Sequence, residues 1–595
     1  MNSVQIDAPP AVPVPGGAAA KTSREGSEAV ADALLASGVD TVFGYTGGSV
    51  AALTRSMFTS NLQTIGARTE LGAAWMSYGY NRVKRRAASA LVTWVVGALH
   101  ASPALLGAKQ DGTPFLHIVA ENPPAMEGRD SLQDSVDLYP ALLPLSKYNR
   151  KVTTAEDLPV IVRQAVKEAS TGRFGPSVLH IAQTAMYEET TMAVEPLTLP
   201  TPPSPSSEDV AKTWDLITKA KQPVFYVGAG VHIADAAAEL TELAELAGVP
   251  VVSTSWGGRG LLRDDHALYA GPSGSFGWTS ANDILQGADF WLAIGTSFTQ
   301  LSTGSWSLQK PETVVHVDIH AYEVGKFFNP TLGVVSDAKK FLRMLLDHAR
   351  SVGGGPETAT WRNQLGAKKA AWIEAREEGY DGTEVPINQY FLIDTLSKEL
   401  PEDSIVVGDS GANAFALYRA FEYKSVSPMV HGGRYMSLGL SLPAAIGAKL
   451  AAPERTVVSY HGDGGFYYDF AELATLTHHG IKVIVILDDN RALMANRAGA
   501  KAAGIPNPWA EVPEDTDFVK VAAGLGVAGE AVTAPEDLVP AIQRALASEG
   551  SYLIDVRTDR ELRLGRALSD VIPVVGDRSP KKGHLERVVQ GSWPS

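Results

Sequence analysis

The sequence predicts an α/β protein built from three doubly wound parallel sheets, and three observations carry that expectation. Apolar, β-branched runs of roughly four to eight residues end repeatedly in glycine turns and alternate with stretches of helical apolar spacing, the pattern of βαβ units. At 595 residues the chain is too long for one hydrophobic core. Two aperiodic segments, residues 196–207 (PLTLPTPPSPSS) and Gly353-Gly354-Gly355-Pro356, divide it into three parts.

Composition narrows the function classes. The chain is 45% hydrophobic and 20% charged, which is globular, and its net charge of −15 argues against nucleic acid or an anionic membrane as partner. Lys84-Arg85-Arg86 and Lys581-Lys582 read as solvated faces. The absence of cysteine excludes disulfides, thiolate catalysis and zinc–thiolate sites. No apolar run approaches the ~18 residues of a membrane span, and the N-terminus has neither a charged n-region nor an apolar h-region. The expectation is a soluble cytoplasmic protein with no membrane association.

In chain order, residues 1–22 are rich in Pro, Ala and Gly and predict a flexible arm. A first domain over 23–190 follows. Val30, Ala33 and Leu34 make a helix face, and residues 42–44 are a strand entering a glycine turn. Residues 67–81 place Glu70 in the first turn of a helix, where the dipole favours a carboxylate, and Gly72, Ala73 and Ala74 permit close backbone packing. Residues 90–97 read as a strand ending before His100, residues 115–120 as a strand ending at Glu121, and residues 177–181 as the last strand.

A linker over 191–207 leads to a middle domain over 208–350. There residues 223–227 run into Gly228-Ala229-Gly230, the opening of a dinucleotide turn that lacks the third glycine of G-x-G-x-x-G. Residues 290–294 and 314–319 are further strands, and the connecting segment 351–384 carries a charged helix over 360–378. A third domain over 385–565 and a polar tail over 566–595 close the chain.

The third domain contains the densest signal, residues 455–497. A strand over 456–460 stops at Gly462-Asp463-Gly464-Gly465; Phe470, Leu473 and Leu476 then recur near helical spacing, and a second strand over 481–487 stops before Asp489-Asn490. Both stops lie at carboxyl ends of neighbouring parallel strands, where open α/β sheets bind ligands. Glycine N–H groups and a helix N-terminus can hold phosphate, and Asp463 and Asn490 offer the hard oxygens that Mg²⁺ prefers. Gly-Asp-Gly alone is also an ordinary turn. The 25 residues between Gly464 and Asn490 set this stretch apart.

With these residues in place, the chain resembles the thiamine diphosphate (ThDP)-dependent decarboxylase and carboligase superfamily, nearest to its acetolactate-synthase-like members. The GDG…N stretch resembles the diphosphate–metal motif, and TELGAAWMSYGYNRV resembles the helix whose glutamate contacts the aminopyrimidine. The resemblance implies pyrimidine-binding, middle and diphosphate-binding domains. It also implies a metal site of Asp463, Asn490 and the Ala492 carbonyl. Cofactor contacts are implied at Glu70, Gly411, Asn413, Met436, Leu438, Gly464, Gly465 and Leu493, with the Met436 carbonyl facing the 4′-amino group and Leu438 wedged between the two rings.

The catalytic positions implied are Glu70, His100 and Gln133. Gln133 stands where members carry Phe-Gln-Glu, while His100 and Glu121 depart from the usual G-P-G-x-x-N turn and Gln. His100 reads as a buried, hydrogen-bonded histidine or as a titrating substrate contact. The middle domain carries FAD in some members, and none is favoured here. Two further departures are residues 295–300 (GTSFTQ), where acetolactate synthases place a substrate-binding Arg, and the lack of a Trp after Asn490.

The function implied is decarboxylation of a 2-oxo acid and transfer of its acyl anion to a carbonyl or acyl acceptor, in a homodimer or homotetramer with shared sites. Two alternatives stand beside it: a C–C hydrolase of a cyclic 1,2-dione, and a nicotinamide-dependent oxidoreductase argued from Gly228-Ala229-Gly230.

Overall fold

A computed structural model describes residues 23–133, 137–428, 430–433 and 435–561. The expected arm, residues 1–22, and the expected tail, 566–595, lie outside the described residues.

The chain forms three parallel sheets, as its alternating pattern predicts. The first contains β1 (Thr41–Gly44), β2 (Gln63–Gly66), β3 (Ser89–Trp94), β4 (Phe115–Glu121), β5 (Tyr148–Val152) and β6 (Pro176–Ala182), in the order β2-β1-β3-β4-β6-β5. The second contains β7 (Pro223–Val227), β8 (Val251–Thr254), β9 (Tyr269–Ser273), β10 (Phe290–Ile294), β11 (Thr313–Asp318) and β12 (Leu332–Val335), in the order β9-β8-β7-β10-β11-β12. The third contains β13 (Ile405–Gly408), β14 (Val457–Gly462), β15 (Ile484–Asp489), β16 (Ala528–Val532) and β17 (Tyr552–Arg557), in the order β13-β14-β15-β17-β16. In the first two sheets the strand order reverses about an early strand, whereas the third runs β13-β14-β15 in one direction before β17 and β16. That reversal opens a crevice at the carboxyl ends.

Five helices position the site: α1 (Glu70–Lys84), α2 (Val95–His100), α3 (Ala412–Ala420), α4 (Ser441–Ala451) and α5 (Asp463–Asp469). Helices α1 and α4 cross in close contact. A Cβ on Gly79 would lie 2.1 Å from the Ala444 carbonyl oxygen, and one on Gly447 would lie 1.9 Å from that of Met76.

The third sheet separates two apolar cores, because side chains alternate across a strand. Val457, Val485, Leu487 and Leu553 pack with Trp75, Tyr78, Leu91 and Phe115 of the first domain. Val458, Ile484, Ile486 and Ile554 belong to a core that extends to Tyr226, Trp291 and Val315 of the middle domain. Among the described residues, no helix is long and apolar enough to cross a membrane.

Two local expectations are corrected. The strand predicted over 90–97 stops at Trp94, and Val95–His100 is helical. The β-branched pair Val95-Val96 misled the periodicity, since this segment leaves the sheet for the helix that packs on Glu70. The glycine loop predicted at 462–465 is the end of β14 followed directly by the first turn of α5.

Candidate active site

The sequence-predicted residues gather in two clusters, one on each outer domain. On the first domain, Glu70 opens α1. Thr69 is the N-cap, its Oγ1 accepting from the Gly72 N–H at 2.8 Å. Glu472 of the third domain clamps this turn from outside. Its carboxylate accepts from the Thr69 N–H at 3.0 Å, from Thr69 Oγ1 at 3.1 Å and from the Arg68 N–H at 3.1 Å. Burial still pushes the Glu472 carboxyl above its usual range.

The Glu70 carboxylate lies over Gly97, where a Cβ would stand 2.6 Å from Glu70 Cγ. His100, one turn along α2, brings Nδ1 to 2.9 Å from Glu70 Oε2. In the single chain the His100 side chain is hydrogen-bonded and 49% exposed. Gln133 takes φ 61° and its Oε1 accepts from the Val96 N–H at 3.3 Å, which fixes it to the start of the same helix. A cleft of about 160 Å³ lies beside it, walled by Val95, Glu121, Asn122, Gln133, Leu138 and Lys151.

On the third domain, β14 and β15 are neighbours in register, Gly462 opposite Asp488, which brings Asp463 and Asn490 to adjacent strand ends. Asp463 is buried. Its Oδ1 accepts from the Gly464 N–H at 2.6 Å and its Oδ2 from the Ala492 N–H at 3.1 Å. Burial, and after it the charge of Asp489, pushes this carboxyl up to about 8. Asn490 Oδ1 and Asn413 Nδ2 are buried and have no hydrogen-bond partner in the protein. These two atoms are free to ligate a cation and to donate to an anion, respectively.

The glycines keep the space clear. A Cβ on Gly464 would stand 2.2 Å from Leu493 Cδ2, and one on Gly465 would stand 1.9 Å from Asp409 Oδ2. Asp409 Oδ1 accepts from the Leu440 N–H at 3.0 Å, while burial pushes its carboxyl up to about 7. Gly411 takes φ 93° to enter α3, whose first turn carries Asn413. Met436 takes φ 55° and its carbonyl accepts from Ser410 Oγ at 2.8 Å; Leu438 is half-buried above Gly465.

These donors fit an anion held against a hard cation. The cation side has a buried carboxylate and a buried amide oxygen, and the anion side has N–H groups at the first turn of α5 and an orphaned amide N–H. A bound cation would also offset the desolvation that raises the Asp463 carboxyl.

A separate cavity of about 470 Å³ opens between the middle domain and its neighbours, with Gly228, Thr296 and Asp318 on one side and Arg82, Arg173 and His431 on the other. The glycines that suggested a nicotinamide fold have a packing role there. A Cβ on Gly228 would stand 2.4 Å from the Gly295 carbonyl oxygen, and one on Gly230 would stand 2.6 Å from Gly295 Cα. Sequence reasoning missed Glu472, His180 and Lys151, which reach their partners only through tertiary contact.

Comparison with known proteins agrees with this geometry. Residues 24–141 match the N-terminal TPP binding domain of thiamine pyrophosphate enzymes, residues 210–345 their central domain, and residues 409–556 their C-terminal TPP binding domain. The probable acetolactate synthase large subunit of Methanocaldococcus jannaschii is 30% identical over 583 residues, 95% of each chain. The acetolactate synthase large subunit of Corynebacterium glutamicum is 31% identical, over 91% of this chain and 88% of that protein. The isozyme 1 large subunit of Escherichia coli is 29% identical, over 90% of this chain and 94% of that protein. The chain therefore belongs to the thiamine pyrophosphate enzymes, the ThDP-dependent family, as an acetolactate-synthase-like member.

Proposed function

We propose that the protein is a Mg²⁺-dependent carboligase that decarboxylates a 2-oxo acid and joins the remaining acyl unit to a second carbonyl compound. The orphaned Asn490 Oδ1 at the strand end beside Asp463 is the observation that carries this reading, because it asks for a cation where the family binds its diphosphate.

Asp463, Asn490 and the Ala492 carbonyl would hold Mg²⁺. The N–H groups of Gly464 and Gly465 and the turn at Gly411 and Asn413 would hold the diphosphate. Bound ThDP supplies a nucleophilic carbon that can accept the electrons of a broken C–C bond. Glu70 would hold a proton against the pyrimidine nitrogen, with His100 Nδ1 orienting its Oε2. Leu438 and Met436 would fix the bend between the rings, an orientation effect. Gln133 would face the substrate from the cleft side. The relatives' printed name, acetolactate synthase, supports a pyruvate-type donor. The cavity between the domains has no step in this reading.

The test is CO₂ release over a panel of 2-oxo acids after dialysis against a chelator. Activity should return only with ThDP plus a divalent cation, and Asp463→Ala should fail to retain ThDP. Wild-type ThDP affinity in that variant would overturn the metal assignment. Ring opening of a cyclic 1,2-dione without CO₂ would replace carboligation by hydrolysis.

A further inference from the structure

The cleft beside Gln133 has a built floor. Glu121 ends β4, and His180 on β6 and Lys151 on β5 sit directly across from each other in the parallel register, so all three meet at the carboxyl edge of the first sheet. His180 is fully buried, with Nδ1 2.6 Å from Glu121 Oε1 and Nε2 2.8 Å from Asn149 Oδ1. Asn149 Nδ2 donates to the Tyr139 carbonyl at 2.9 Å, which turns Oδ1 toward the ring and makes Nε2 the donor. The second ring nitrogen is left to share a proton with Glu121. Lys151 Nζ stands 3.4 Å from Glu121 Oε2 and 3.1 Å from Glu127 Oε1.

A core histidine needs no carboxylate reaching into a cleft, whereas here the brace holds Glu121 at a cleft wall. Among the described residues, Glu127 and Asp137 set two carboxylates against the Lys151 ammonium, while Glu121 and His180 share one proton and add no net charge. A substrate carboxylate entering this space meets like charge, and an alkyl group desolvates Glu121 without bonding to it. A neutral hydroxyl donates to Glu121 and adds no charge.

We infer that Glu121 is a specificity-determining residue that selects a hydroxyl-bearing substrate over its alkyl isostere and over an anionic analogue, with His180 as its positioning residue. The inference rests on the ThDP active site proposed above, since Val95 and Gln133 join the cleft to the helix under Glu70.

The ThDP–Mg²⁺ enzyme tests it with isosteric pairs: 3-hydroxypyruvate against 2-oxobutyrate as donor, and glycolaldehyde against propanal and glyoxylate as acceptor. The wild type should prefer the hydroxylated member of at least one pair by roughly ten- to a hundredfold in kcat/KM, the scale of one hydrogen bond to a charged group. Glu121→Gln should shrink that ratio to within about threefold, with the change in KM and with glyoxylate gaining. His180→Asn, which releases the brace, should shift KM in the same direction and leave the helix around Glu70 in place.

If Glu121→Gln fails to fold, Glu121→Asp withdraws the carboxylate by one methylene and carries the same comparison. Equal ratios in wild type and variant, or a wild-type preference for the alkyl member, overturn the inference. Exchange of the ThDP C2 proton, followed by NMR in the wild type, separates the two readings. No acceleration over free ThDP removes the active-site reading and this inference with it, whereas normal exchange with unchanged selectivity removes the inference alone.

Discussion

Gly97 has no side chain because the Glu70 carboxylate occupies that space, and His100 holds one of its oxygens. Replacing Glu70 with Gln keeps volume and packing but removes the proton-holding oxygen. Glu70→Gln should retain ThDP, measured by quenching of the protein's tryptophan fluorescence as ThDP is titrated in, and lose roughly 10² to 10⁴ of turnover. Full activity would end the proposed role. At this scale, legibility followed sequence locality. That Asp463 and Asn490 lie together was readable because one strand–helix–strand unit carries both at fixed spacing, while Ala492 beside them came from the family resemblance. Glu121, His180, Asn149 and Lys151 meet only through the register of three strands. A buried histidine inside an apolar strand such as β6 looks like core until its partners are placed.

At the scale of elements, the small residues of two helices proved to be halves of one contact. Gly72, Ala73 and Ala74 predicted close packing for the first of these helices, and the structure crosses it with the second at Gly79 and Gly447. A side chain on Gly447 would meet the Met76 backbone, which cannot rotate away. Gly447→Val should lower stability by about 1–3 kcal/mol or more by overpacking, read from the denaturant midpoint of the apoprotein. A wild-type midpoint would mean that the helices separate without penalty. The misread segments have a physical cause too. Val95-Val96 and the Asp463 turn are short, and their conformation is set by what they pack on rather than by periodicity.

At the scale of the whole molecule, the two clusters share a feature: large apolar side chains stand exposed around each. Val96, Leu99 and Leu132 surround Glu70, while Tyr467, Tyr468 and Trp509 flank the Asp463 side. A second copy that brought one chain's Glu70 to the other's Asp463 would cover both sets. In such a dimer, co-expressing Glu70→Ala with Asp463→Ala gathers both lesions into one site and leaves the other intact. Tagged heterodimers should recover about half the wild-type turnover, the share of one intact site in two. Activity no higher than either parent would instead support sites completed within one chain.

The third sheet, with one face in each of two cores, also governs how the chain comes apart. Its strands cannot lose order without stripping the inner faces of both neighbours, since Val485 belongs to one core and Ile486 to the other. The domains should therefore melt as one cooperative unit, in a single calorimetric peak. A destabilising change in the first domain would then be felt in the middle domain, with no contact between the altered residue and that domain.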